Sequence, residues 1–121
     1  NQDDLALQAL NKAESLKPGW HVAALFKGQV LFGKSPKEAI SYYQNFLSKH
    51  PDANEVRVNL AKVLVTQKQY DLAKKEFPTI VKYAHASPAK NAAEITAVLG
   101  LLAVQGNDYA TADSYFQESL K

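Results

Sequence analysis

The sequence predicts an all-α fold, with about seven antiparallel helices stacked in pairs along the chain. Three observations predict it. Apolar residues recur at spacings of three and four, as in Leu60, Val63 and Leu64 and then Leu72, Ala73, Phe77, Ile80 and Val81. That spacing gathers them on one side of a helix, whereas a strand would alternate every second residue. Next, a small residue followed four positions later by a larger apolar one recurs as Ala6–Leu10, Ala39–Tyr43, Ala73–Phe77 and Ala112–Phe116, and the alanines stand 33, 34 and 39 residues apart. Finally, Pro18 and Pro51 each fall twelve residues after the alanine of their copy, where a helix must stop. Helices this short are marginal alone, so each must bury its stripe against a neighbour, and repeated pairs therefore stack.

Taken in order, Asp3 or Asp4 is expected to cap a helix running to about Lys17, with Leu7, Leu10 and Leu16 on its apolar side. Pro18-Gly19 ends it. The next helix spans about Trp20 to Phe32 and is apolar nearly all round, which predicts burial on several sides. Gly33-Lys34 reads as the turn. Ser35-Pro36-Lys37-Glu38 then combines a serine cap, a first-turn proline and a capping-box glutamate, and this helix is expected to run to about His50 before Pro51. Asp52, with Glu55 three residues on, reads as a second capping box. Gln67-Lys68-Gln69 breaks the two stripes of the central unit. Pro78 falls inside the following helix and predicts a kink between Lys74 and Pro78. Ser87-Pro88 is another cap-and-proline start, for a helix reaching about Gln105. This copy exceeds the usual 34 residues by five, which is expected to lengthen that helix or its entry loop. Gly106-Asn107 turns the chain, and Asp108 caps a last helix through Leu120.

A two-helix unit repeating at about 34 residues resembles the tetratricopeptide repeat (TPR), here over essentially the whole chain. The family's Leu-Gly pair is matched by Leu99-Gly100 and Leu60-Ala61, while Phe26-Lys27 departs from it. Its aromatic residue after the turn is matched by Tyr70 and Tyr109, and its small residue by Ala6, Ala39, Ala73 and Ala112. His85 stands where the third closing proline would be. The resemblance implies a right-handed α-solenoid of helix hairpins. It implies one domain over 1–121, with a half repeat at 3–18 and repeats at about 19–51, 52–86 and 87–121. The chain lacks methionine and starts on the second helix of a pair, so it is read as an excerpt of a longer protein. Its end helices are expected to meet further repeats or to pair in a homodimer. The stretches Asn54–Ala61 and Leu99–Ala103 resemble repeats of Gram-negative bacterial proteins, particularly envelope assembly factors. This implies a bacterial cytoplasmic or periplasmic location, leaning to the cell envelope.

Composition narrows the chemistry. The 121 residues are 46% hydrophobic, enough for a core without staples. There is no cysteine, hence no disulfide, thiolate metal site or cysteine nucleophile. A net charge of +2 is too small to imply a nucleic acid or membrane surface by itself. His21, His50 and His85 have no partner at metal-ligand helical spacing and read as helix-end polar residues, so neither metal nor cofactor is expected. Most of the 12 acids sit at helix starts, where carboxylates complement the helix dipole. No phosphate loop or serine elbow is present, and no enzymatic activity is expected. Lys68, Lys74, Lys75, Lys82 and Lys90 form a loose basic cluster diluted by Asp71 and Glu76, read as a solvated outer face. Trp20 is expected to pack in the core or between repeats.

In the resembled family, the first helices of successive units line a concave groove. Carried over by position, the partner groove is Glu55, Val58, Asn59, Lys62, Val65 and Thr66 in the second copy. In the third it is Glu94, Ala97, Val98, Leu101, Val104 and Gln105. The first copy is one residue short, which leaves its register open by one; the reading taken is His21, Ala24, Leu25, Gly28, Leu31 and Phe32. Only Asn59 and Lys62 match a clamp for a terminal carboxylate, so a chaperone-tail clamp is not expected. A mainly aliphatic wall suits an extended apolar segment or an amphipathic helix, and equally the protein's own neighbouring repeats. The function expected is therefore a protein–protein interaction module. A self-assembly scaffold and an RNA-binding helical repeat are the alternatives.

Overall fold

The computed structural model of the chain describes residues 2–86 and 89–120, with backbone alone for 89–91. Among the described residues there are seven helices and no strand: α1 (Gln2–Leu16), α2 (His21–Lys34), α3 (Pro36–Lys49), α4 (Asn54–Thr66), α5 (Tyr70–His85), α6 (Ala89–Gln105) and α7 (Tyr109–Ser119). At 17 residues, α6 is the longest of them, which is where the long third copy places additional chain. The Ser87-Pro88 start lies outside the described residues.

The junctions hold the most informative differences from expectation. Gly33 and Lys34 do not turn; they finish α2. The turn is Ser35 alone, extended at φ −159°, whose N–H donates to the Leu31 carbonyl (2.7 Å) and whose carbonyl accepts from Ala39 (3.2 Å). Its backbone therefore closes one helix and opens the next, and its hydroxyl makes none of the capping bond expected of it. Asp52 does not cap α4 either. It belongs to a turn in which its carbonyl accepts from the Asn54 N–H (2.8 Å) and from Asn54 Nδ2 (3.1 Å), and buried Ala53 stands directly before the helix. By contrast, the polar breaks at Lys68 and Asn107 are turns of one kind. Each residue has φ 61°, and each turn pairs an i→i−3 with an i→i−5 backbone bond: Lys68→Val65 with Gln69→Leu64, and Asn107→Val104 with Asp108→Ala103. That is the Schellman arrangement, which satisfies the last carbonyls of α4 and α6 in the same way. Helix α5 is continuous across Pro78, which is exposed.

The structure divides into two compact units, 1–63 and 64–121. In the first, α2 packs between α1 and α3. Ala23, Ala24 and Gly28 of α2 are buried, as are Ala39, Ile40, Tyr43, Phe46 and Leu47 of α3. Gly28 is the contact point. A Cβ there would lie 2.0 Å from the Tyr43 ring, so the ring occupies the space a larger residue would need. Tyr43 is 1% exposed, its hydroxyl donates to the Leu25 carbonyl (3.2 Å), and burial pushes that hydroxyl up to about 12. Helix α1 buries no residue, and Leu5 and Leu16 on it are exposed. Polar links tie it down: Lys34 Nζ to Asp4 (2.9 Å), Lys27 Nζ to Glu14 (3.3 Å) and the Tyr42 hydroxyl donating to Glu14 (2.8 Å). Trp20 is exposed rather than in the core, with the Lys17 ammonium 5.2 Å from its ring centroid.

In the second unit α6 packs against both α5 and α7. Gly100 approaches Phe116 as Gly28 approaches Tyr43, a Cβ at 100 falling 2.7 Å from that ring. Phe77 meets Tyr115 edge to face at 5.9 Å between centroids. Asp108 caps α7 by accepting from the Thr111 N–H (3.3 Å), as expected. It also accepts from the Tyr70 hydroxyl (2.7 Å) and Lys74 Nζ (2.8 Å) at the start of α5. Those donors, Lys74 first, hold its carboxyl well below the usual aspartate range. His85, in place of a closing proline, pairs with Glu118 at 3.0 Å.

Candidate partner-binding face

Helices α2, α4 and α6 are the first members of their pairs, and each has a buried edge of small or aliphatic residues and an outward side. On α6, Thr96, Leu99, Gly100, Leu102 and Ala103 face the core. Thr96 disposes of its hydroxyl within the helix, donating to the Ala92 carbonyl at 2.9 Å. On the other side, Leu101 is 55% and Val104 38% exposed, flanked by exposed Glu94 and Gln105 and by half-buried Ala97 and Val98. These are the six positions of α6 that the sequence led us to expect along a partner groove.

On α4, Glu55, Lys62 and Thr66 are exposed and Val58 and Asn59 half-buried, but Val65 is 7% exposed and offers a partner almost no surface. Asn59 turns its amide into its own helix, donating to the Glu55 carbonyl (3.0 Å).

The first copy requires a shift of register. Ala24 and Gly28, read as lining residues, are buried in the core of their unit. Gly28 is the counterpart of Gly100, because each lies against an aromatic ring of the following helix. The Leu-Gly position therefore falls on Lys27-Gly28, not Phe26-Lys27, and every outward position moves by one. The outward set becomes Val22, Leu25, Phe26, Gln29, Phe32 and Gly33. Four of these, Val22, Phe26, Gln29 and Gly33, are exposed, with Val22 at 44% and Phe26 at 55%. The one-residue turn at Ser35 is the physical reason for the slip. The 33-residue period was the available signal, and the unexpected exposure of Phe26 on a helix that reads as apolar all round follows from it.

The basic cluster is less coherent than its spacing implies. Lys68, Lys75 and Lys82 are exposed, Lys74 is paired with Asp108, and the side chain of Lys90 lies outside the described residues. Among the described residues no three potential ligands gather as a metal site, and no helix is long and apolar enough to cross a membrane. Compared with known families, residues 34–93, from the end of α2 into the start of α6, match the family model described as tetratricopeptide repeat. No curated protein matches the chain.

Proposed function

The chain belongs to the tetratricopeptide repeat family, a non-catalytic module that mediates protein–protein interaction, and from that premise we propose that each compact unit binds through the outward side of its own first helices, α2 and most of α4 in the first and α6 in the second. The occupant is an extended apolar segment or the apolar side of an amphipathic helix. The observation that carries this reading is the exposure of Leu101 and Val104 on a helix whose opposite edge is the core. Burying such side chains against a partner contributes roughly 1.5–3 kcal/mol each, so a few anchors suffice for capture. Binding is by presentation of a preformed surface, with no chemistry at the site. Leu101→Asp tests it: partner capture is lost while the far-ultraviolet helical signal stays, and capture that survives the substitution removes α6 from the site.

A second reading, self-assembly, is favoured by one observation, the exposure of Leu5 and Leu16 on α1 and of Leu120. Sedimentation decides it, since self-assembly requires a sedimentation coefficient that rises with concentration. RNA binding through Lys68, Lys75 and Lys82 is the weaker alternative, because Asp108 neutralises Lys74 within the same cluster.

A further inference from the structure

A cleft of about 210 Å³ opens in the first unit between the end of α1, the Pro18–Gly19 turn and α3. None of its lining residues belongs to the outward face described above, so the two readings stand or fall separately. Along α3 and into its C-cap, Tyr42, Phe46 and His50 recur every fourth residue and form an aromatic wall. Ring centroids are 6.2 Å apart from Tyr42 to Phe46 and 4.7 Å apart from Phe46 to His50. Phe46 is almost wholly buried and edge-on to His21, which makes it the floor. Gly19 lies against the imidazole of His50, where a Cβ would come within 2.8 Å of the ring. The wall is therefore packed from behind and fixed before any ligand arrives.

The volume is below the roughly 300 Å³ at which sites for drug-sized molecules and cofactors begin, and it suits one ring with a short substituent. Charge then selects among rings. The single carboxylate of the cleft, Glu14, already accepts from the Tyr42 hydroxyl and pairs with Lys27. The Lys27 ammonium also stands 4.7 Å from the centroid of the Tyr42 ring, so the one cation–π position is taken from within. A cationic ligand would meet Lys27 and Lys49. At the rim, Lys49 has no carboxylate partner among the described residues, and Asn45 and His50 stand beside it. Aromatic walls below and an unpaired ammonium above fit an aromatic ring bearing a carboxylate.

We propose that this cleft binds an aromatic carboxylate, either a free aromatic acid or the C-terminal aromatic residue of a protein chain, with the ring against Tyr42 and Phe46 and the carboxylate at Lys49. The test is a titration of the 121-residue chain, followed by ¹⁵N-resolved amide shifts, with N-acetyl-phenylalanine, its uncharged amide and a tetrapeptide ending in phenylalanine. Saturable shifts confined to Gly19, Asn45, Lys49 and His50, with the acid bound about tenfold more tightly than the amide, support the proposal. Lys49→Glu should weaken the acid by a similar factor and Lys49→Arg should retain it; both sit on an exposed position of α3 that folding does not need. A tetrapeptide tighter than the acetylated residue identifies a chain terminus as the source, and equal affinity identifies a free acid. Equal binding of acid and amide, shifts that do not saturate, or shifts elsewhere overturn the proposal.

Discussion

Replacing Gly28 by alanine puts the repeat register to a quantitative test, because two effects of opposite sign meet at one atom. Alanine is favoured over glycine inside a helix by roughly 1 kcal/mol. At residue 28 the added methyl would lie 2.0 Å from the Tyr43 ring, closer than carbon atoms approach without displacement. That ring is 1% exposed and anchored by its hydroxyl to the Leu25 carbonyl, so it cannot swing into solvent. Overpacking a filled core costs about 1–3 kcal/mol. A buried hydroxyl torn from its acceptor costs on the order of 1–3 kcal/mol more. The clash outweighs the propensity gain, and Gly28→Ala should be destabilising by roughly 1–5 kcal/mol net. Gly33 supplies the control within the same helix. A Cβ there meets nothing within 4 Å, so Gly33→Ala should be neutral to stabilising by up to about 1 kcal/mol, less than the full gain because it is near the helix end. Urea denaturation followed by circular dichroism measures both: the Gly28→Ala midpoint should fall, and the Gly33→Ala midpoint should stay or rise. A Gly28→Ala protein as stable as the parent would refute the close approach, and with it the one-residue shift that moves Phe26 to the outward side.

Further expectations concern the second unit. Asp108 has a carboxyl lowered from its ordinary value of 3.8 by Lys74, Tyr70 and Thr111, so the stability it contributes is fully present above about pH 4 and is lost as pH falls below that value. The gap in urea midpoint between the parent and Asp108→Asn should accordingly be widest at neutral pH and shrink progressively as the pH is lowered from 4 to 2; a gap of constant width over that range would dismiss the cluster. Val65→Asp should unfold structure, costing several kcal/mol, because a carboxylate at a position 7% exposed loses its hydration; an unchanged thermal transition would show that Val65 is more accessible than its burial indicates. Lys75→Glu combined with Lys82→Glu should leave partner capture intact. A steep, salt-dependent loss of binding in a gel-shift assay with RNA would instead favour the nucleic-acid alternative.

The helix count, order and most ends were legible because apolar spacing and short turns are local signals. Asp108 was legible as a cap because the turn before it, Gly106-Asn107, leaves the aspartate at the one position where its side chain can reach back to a free N–H. Asp52 carries the same local pattern, but Pro51 and Asp52 are drawn into a turn that sets Ala53 before the helix, an effect of backbone hydrogen bonds that residue types do not announce. Gly33-Lys34 misled for a related reason. A glycine followed by a polar residue is ordinary turn chemistry, yet the Ser35 backbone alone satisfies both helix ends. That single residue displaced the outward face of α2 in register. On α4 and α6, spacing could not tell that Val65 is buried while Leu101 is not, since both are aliphatic residues on helices of the same rank. The cleft beside His50 was not legible at all: it needs α1 and α3 brought together across a turn, and His50, next to Pro51, reads only as a helix-end residue.

The central claim is that outward apolar residues on the first helices take up a partner. It is met most directly by hydrogen–deuterium exchange on the chain alone and in complex with a captured protein. Protection on binding should concentrate in α6 and on the Val22–Phe26 side of α2, and should vanish for Leu101→Asp. Protection confined to α5 and α7, with α2 and α6 exchanging as in the free chain, would contradict the account.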